Sequence, residues 1–167
     1  MSSPLSAEKR HITFVCTGNI CRSPMAEGLI RHALKTETGP LRTLAVRSVG
    51  IAAFAGSPAS DNAVRALKKV SIDISAHRSC PATPEIIETS LAVFAMTTSH
   101  LLVLRRRFPR LPADTFLMRE FYAAALPNAP LEIPDPYGFD LAEYESCRDS
   151  MVEAIPSLLA FLRKKLG

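Results

Sequence analysis

Cys16 and Arg22, with five residues between them, are the pair in this chain whose types and spacing could do chemistry. The run reads Cys16-Thr17-Gly18-Asn19-Ile20-Cys21-Arg22-Ser23-Pro24. A loop of this kind ahead of a helix turns backbone amides inward, where they can cradle an anion with help from the helix dipole. The guanidinium of Arg22 offers a planar fork that suits phosphate. Beneath such an anion the same amides, helix end and guanidinium favour the thiolate of Cys16. A nucleophile at the bottom of a phosphate cradle implies attack on phosphorus, with charge in the transition state met by the Thr17–Arg22 amides and the Arg22 side chain. Gly18 would allow backbone geometry closed to other residues, Asn19 would brace the loop, and Ser23 could donate to the thiolate as a leaving group. Hydrolysis also needs a carboxylic acid for the departing atom and then for water. Asp135, stiffened by Pro136, is the candidate, although Asp-Pro by itself reads as readily as a turn. Asp140 and Glu132 compete nearby and read as a helix cap and a surface charge.

The elements that must hold these residues follow from the flanking sequence. Ile12, Phe14 and Val15 form a short apolar run that ends at Cys16, which reads as a strand. Ser23 suits an N-cap and Pro24 a first helical turn, with Met25, Ala26, Leu29, Ile30, Ala33 and Leu34 spaced to bury one face. Leu41 to Val49 alternates as a second strand, and a helix opens at Pro58–Asp61 with Ala63, Val64, Leu67 and Val70 inward. Pro84 to Thr89 reads as a short helix, and Leu91 to Met96 as a central parallel strand covered on both faces. A helix from Thr98 or Ser99 stops before Pro109, and Asp114 to Met118 makes a fourth strand. Residues 119–139 read as loop-rich and deliver Asp135, and a last helix from about Asp140 to Lys165 should kink or split at Pro156. The alternation predicts a three-layer α/β fold with a small four-stranded parallel sheet, helices on both faces and the phosphate-binding loop after the first strand. Ligands in such sheets bind off the carboxyl ends of the strands, where Cys16 falls. Residues 1–10 read as a loose tail and 11–167 as one domain.

The Cys16–Pro24 loop, close to the N-terminus, resembles the phosphate-binding loop of the low-molecular-weight protein tyrosine phosphatases. Asp135-Pro136-Tyr137, just before a final amphipathic helix, matches the family's acid motif, and the resemblance covers nearly the whole chain from residue 11. It implies a protein phosphatase working through a phosphocysteine, with Cys16 as nucleophile, Arg22 binding phosphate and Asp135 as general acid and base. Thr17, Gly18, Asn19, Ile20, Cys21 and Ser23 then belong to the substrate-binding loop. Ser48-Val49-Gly50 followed by Phe54 is similar to the family's variable aromatic loop, so Phe54 and Tyr137 would wall a flat ring, with core packing as the alternative for Phe54. The segment Ile72–His77 is similar to the one whose histidine supports the loop Asn and Ser, which gives His77 that role against an ordinary loop histidine. Cys21 matches a position that can form a reversible disulfide with the nucleophile. Arg47–Gly50, Ala95–Thr97, Asp135–Gly138 and Leu141–Tyr144 are most similar to the bacterial branch that includes protein arginine phosphatases. The loop position held here by Ile20 is typically Thr in those enzymes, so Ile20 favours phosphotyrosine and the surrounding sequence leaves phosphoarginine open.

Other function classes fit less well. A thioredoxin-coupled arsenate reductase would need further cysteines near Cys80, and a non-catalytic phosphate-binding module leaves the complete motif without use. The loop lacks the Gly-Lys-Ser ending of a nucleotide-binding loop. The charge balance, 20 Lys and Arg against 16 Asp and Glu, is too even for a nucleic-acid surface, and Arg105-Arg106-Arg107 reads as a solvated helix end. The spacing of Cys16, Cys21, Cys80 and Cys147 suits neither a secreted disulfide framework nor a zinc site. Cys80 and Cys147 read as small, partly buried side chains. No signal peptide or membrane-spanning run is evident. The expectation is a cytoplasmic monomer or weak dimer acting on phosphorylated protein, without metal or cofactor.

Overall fold

The computed structural model describes residues 10–167; the expected tail lies, apart from Arg10, outside the described residues. The first strand, β1 (His11–Cys16), is buried along its whole length. It pairs in parallel with β2 (Ala45–Gly50) on one side and β3 (Ala92–Ala95) on the other, and β3 pairs in parallel with β4 (Thr115–Leu117). The order is β2-β1-β3-β4. The chain leaves β1 toward one edge and later returns to its other side, so the end of β1 is a switch point of the kind that opens a crevice. Cys16 is the last residue of β1, paired with Gly50 at the end of β2.

Strand alternation sorts the core into two layers. Ile12, Phe14 and Cys16 face the layer filled by α1 (Arg22–Leu34), α3 (Asp61–Lys68) and α7 (Leu141–Leu166), through Met25, Leu29, Leu67, Met151 and Leu158. Val15, Val93, Ala95 and Leu117 face the opposite layer, with Ile87 from α4 (Pro84–Ile87) and Leu101, Leu104 and Phe108 from the segment containing α5 (Thr98–Arg107). The result is a three-layer α/β fold. A cluster of phenylalanines ties the sheet to α7: Phe14 stacks on Phe94 at 5.4 Å, and Phe161 meets Phe94 and Phe116 edge-on at 6.4 and 5.3 Å.

Three sequence expectations need correction, and one segment gains an element. Leu41 does not open a strand: Gly39, at φ 60°, and Pro40 start a helical turn, α2 (Gly39–Arg42), that buries Leu41. The loop-rich residues 119–139 also hold a short helix, α6 (Glu120–Ala125), which stacks Phe121 on Phe161 at 4.7 Å. Pro156 does not split α7, which is continuous because Met151, Ala154, Leu158 and Leu159 are buried on both sides of it. Val70 lies beyond α3 and is 40% exposed instead of facing inward.

Candidate active site

The loop from Cys16 to Arg22 crosses from the end of β1 to the start of α1. It borders a cleft of about 210 Å³ lined by Cys16, Thr17, Gly18, Ile20, Cys21, Arg22, Asp135 and Tyr137. Cys16 Sγ lies 2.9 Å from Ser23 Oγ and accepts the Asn19 amide at 3.3 Å. Among the described residues, no protein acceptor takes the amide protons of Gly18, Ile20, Cys21 or Arg22. An anion entering the cleft therefore meets amides not committed elsewhere, at the positive end of a 13-residue helix.

The loop's shape depends on Asn19 more than on Gly18. Gly18 has no positive φ, and a methyl group added there would meet only Ile20, at 3.7 Å; its backbone needs no glycine. The left-handed residue is Asn19, at φ 56°, a conformation that asparagine tolerates better than most residues. Asn19 is fully buried, and its polar groups are used throughout. Its Nδ2 donates to Ser23 Oγ at 2.7 Å and Ser48 Oγ at 3.0 Å, and its Oδ1 accepts the Cys80 amide at 2.8 Å. Its carbonyl lies 2.8 Å from His77 Nε2, which must be the donor because a carbonyl can only accept. His77 Nδ1 in turn faces Glu27 Oε2 at 3.7 Å, and Ser48 Oγ donates to the same oxygen at 3.3 Å. Glu27 and Ser48 thus support the loop from behind. Glu27 sits a few residues into a helix, where its type and spacing look like surface charge, so sequence alone gave no sign of this.

Ser23 is not the N-cap of α1. That position belongs to Cys21, and Ser23 Oγ is occupied with Cys16 and Asn19. Cys21 is buried, with Sγ 3.3 Å from both Ser60 Oγ and Tyr144 Oη, and burial raises its pKa above that of an ordinary thiol. Burial also pushes the neighbouring Cys147 up to about 12. All four cysteines are free thiols.

Arg22 is 3% exposed and held in place by donating Nη1 to the Ile133 carbonyl at 3.1 Å. Its Nη2 stands 3.7 Å from Asp135 Oδ2. Asp135 is half-exposed, and its Oδ1 accepts the Tyr137 amide at 3.1 Å, which aims the other oxygen across the cleft. The segment carrying Asp135 is pinned by the Ile133 amide on the Met96 carbonyl and by Glu132, whose Oε1 accepts from both the amide and the hydroxyl of Thr98. Those bonds hold the Glu132 carboxyl below its ordinary pKa. Glu132 is therefore more than a surface charge, whereas Asp140 does cap α7 by accepting the Glu143 amide.

Tyr137 lines the cleft, but the structure does not bring Phe54 into its lining. Phe54 is 86% exposed, which also removes core packing as its role, and its carbonyl accepts from Ser79. The site also contains a residue that sequence reasoning missed, His100. It is buried, lies 2.9 Å through Nε2 from Thr17 Oγ1, and has its pKa brought down to about 4 by burial and by the Arg22 charge. A histidine near the start of a helix that follows a central strand was the available signal. Another missed residue is Gly50, where a methyl group would stand 2.5 Å from the Thr17 carbonyl and 2.9 Å from the Asn19 amide. Among the described residues no group of three or more His, Cys, Asp or Glu is placed to hold a metal, and no helix is long and apolar enough to cross a membrane.

The family model for low molecular weight phosphotyrosine protein phosphatase matches residues 11–167. The protein-arginine-phosphatase of Geobacillus stearothermophilus is 37% identical over 147 residues, covering 88% of this chain and 92% of that one. The low molecular weight protein-tyrosine phosphatase A of Mycobacterium tuberculosis is 32% identical over 168 residues, covering 100% of this chain and 97% of that one. A low molecular weight protein tyrosine phosphatase from T. tengcongensis has a crystal structure that superposes with a TM-score of 0.80 at 35% identity, covering 90% of this chain and 98% of that one.

Proposed function

Because the chain belongs to the low molecular weight phosphotyrosine protein phosphatase family, we propose that residues 11–167 form one protein phosphatase domain that hydrolyses phosphotyrosine through a phosphocysteine. The observation that carries the mechanism is the meeting of Cys16, Arg22 and Asp135 around one small cleft. The Cys16 thiolate attacks phosphorus in line, forming the S–P bond as the P–O bond to the substrate breaks. Asp135 gives its proton to the departing oxygen. Loop amides and the Arg22 guanidinium take up the charge on the equatorial oxygens. In the second step the Asp135 carboxylate removes a proton from water, the water oxygen bonds to phosphorus, and the S–P bond breaks. The Ser23 hydroxyl, 2.9 Å from Cys16 Sγ, is placed to donate to the leaving thiolate.

Two observations bear on the substrate. Ile20 lines the cleft and packs against the core, so it offers a branched apolar surface to a phenyl ring in a cleft that Tyr137 also lines. Against this stands the identity shared with a relative named protein-arginine-phosphatase, which keeps phosphoarginine as the second reading. The two separate in one experiment: turnover of phosphotyrosine, phosphoarginine and phosphoserine peptides by the unmodified chain and by Ile20→Thr. The expected order for the unmodified chain is phosphotyrosine first, with Ile20→Thr moving the ratio toward phosphoarginine. A preference for phosphoarginine by the unmodified chain overturns the phosphotyrosine reading and leaves the phosphocysteine chemistry standing.

A further inference from the structure

The N-terminal turn of α5 touches both halves of the candidate site, and none of the steps above uses His100. Thr97 caps this helix with a reciprocal pair of bonds: its hydroxyl accepts the His100 amide at 3.4 Å, and its own amide donates to His100 Nδ1 at 3.2 Å. A backbone N–H can only donate, and the Thr97 hydroxyl, also 3.0 Å from Nδ1, can donate to it as well, a pairing that takes Nδ1 as the bare nitrogen. In a neutral imidazole the proton then resides on Nε2. Nε2 lies 2.9 Å from Thr17 Oγ1, so the ring donates and the threonine oxygen accepts. That arrangement leaves the hydroxyl proton of Thr17 for another acceptor. Thr17 is exposed and lines the cleft beside Cys16, and no other protein group bonds its hydroxyl among the described residues.

We propose that His100 is a positioning residue whose Nε2–H, fixed by the helix cap of α5, turns the Thr17 hydroxyl into a donor aimed at the phosphorylated group bound in the cleft. The inference rests on the phosphatase reading of that cleft. A protonated ring would carry hydrogen on both nitrogens and lose the bond from the Thr97 amide, so the device requires a neutral His100. The surroundings keep it neutral: the ring is 3% exposed and feels the Arg22 guanidinium, and these outweigh the opposing carboxylates of Asp135 and Glu132. Through Thr98, the same helical turn holds Glu132 of the Asp135 segment. One cap thereby sets the orientation of a group on the nucleophile loop and the anchorage of the acid loop.

The test joins a spectroscopic and a kinetic reading on the full chain. Long-range nitrogen–proton NMR, assigned by the signal lost in His100→Phe, should show His100 protonated on Nε2 and bare on Nδ1 across neutral pH. With p-nitrophenyl phosphate, Thr17→Val and His100→Phe should each lower kcat/KM about tenfold, the worth of one hydrogen bond to a charged group. The double variant should lose no more than either single one, because both remove the same donor. Thr17→Ser, which keeps the hydroxyl, should lose clearly less than Thr17→Val. An Nδ1-protonated ring, a double variant that loses the product of the two single effects, or an unchanged Thr17→Val overturns the proposal. If His100→Phe does not fold, Thr17→Val and the tautomer, assigned then with His100→Gln, still decide. Failure of the unmodified chain to turn over any aryl phosphate would sink the phosphatase reading instead. The tautomer and a roughly tenfold loss of orthovanadate affinity in Thr17→Val would then judge His100 separately.

Discussion

At the scale of single residues, the site is ordered by which groups have hydrogen bonds to spare. Asn19 has none: it is buried, left-handed and bonded on every polar atom. Asp135 has one oxygen committed to the Tyr137 amide and the other turned toward Arg22 at 3.7 Å. Under the proposed mechanism these two should fail differently. Asp135→Asn keeps the turn and removes the proton, so kcat should fall by about a hundredfold or more for poor leaving groups with KM little changed. The loss should shrink as the leaving group becomes a better one. A uniform loss across leaving groups, measured with a series of substituted aryl phosphates, would deny Asp135 the acid's role.

At the scale of elements, the loop depends on what abuts it. β2 ends under the loop at Gly50, whose amide and carbonyl bond Cys80 and Ala82, while Ile51 and Ala52 donate to the carbonyls of Cys16 and Thr17. A methyl group on Gly50 would lie 2.5 Å from the Thr17 carbonyl, a backbone atom with no freedom to swing aside. Gly50→Ala should therefore cost about 1–3 kcal/mol of unfolding free energy in urea denaturation, as overpacking does, and weaken phosphate binding in the cleft. Gly18→Ala should be milder in stability, since its methyl group would meet only Ile20 at 3.7 Å. Equal destabilisation of the two, read from parallel denaturation curves, would contradict the close approach of β2.

For the molecule as a whole, the buried uncharged histidine couples folding to pH. His100 has its folded pKa lowered from 6.5 to about 4, so between those values the unfolded chain binds a proton that the folded chain does not. Stability then rises with pH across that window: this contribution is present above pH 6.5 and lost as pH falls toward 4. Discounted for solvent screening, the effect is about 2 kcal/mol. Urea midpoints measured from pH 7 down to pH 4 should fall, and His100→Gln should flatten part of that slope. An unaltered slope in the variant would place the acid sensitivity in other groups.

The strand, the loop and the helix after it were readable in the sequence because each rests on local causes. An apolar run ends at Cys16, loop residues follow, and a 3.6-residue apolar spacing begins beyond Pro24. The sheet's parallel character followed from alternation of elements, and membership in the phosphatase family followed from a motif whose spacing is itself local. Misreadings fell where packing or a side-chain partner overrode local preference. Ser23 looked like a cap until Cys16 and Asn19 claimed its hydroxyl, and Pro156 looked like a possible break until burial on both sides kept α7 continuous through it. Gly18 was credited with the loop's unusual backbone, yet Asn19 carries the positive φ because four surrounding groups, from residues 23, 48, 77 and 80, hold it there. Phe54 was placed beside the substrate ring by resemblance; it is exposed and not among the residues that line the cleft. His100, early in the helix after a central strand, was visible in the sequence, but its partner was not: it lies 83 positions from Thr17, and no periodicity or spacing expresses a hydrogen bond across that distance.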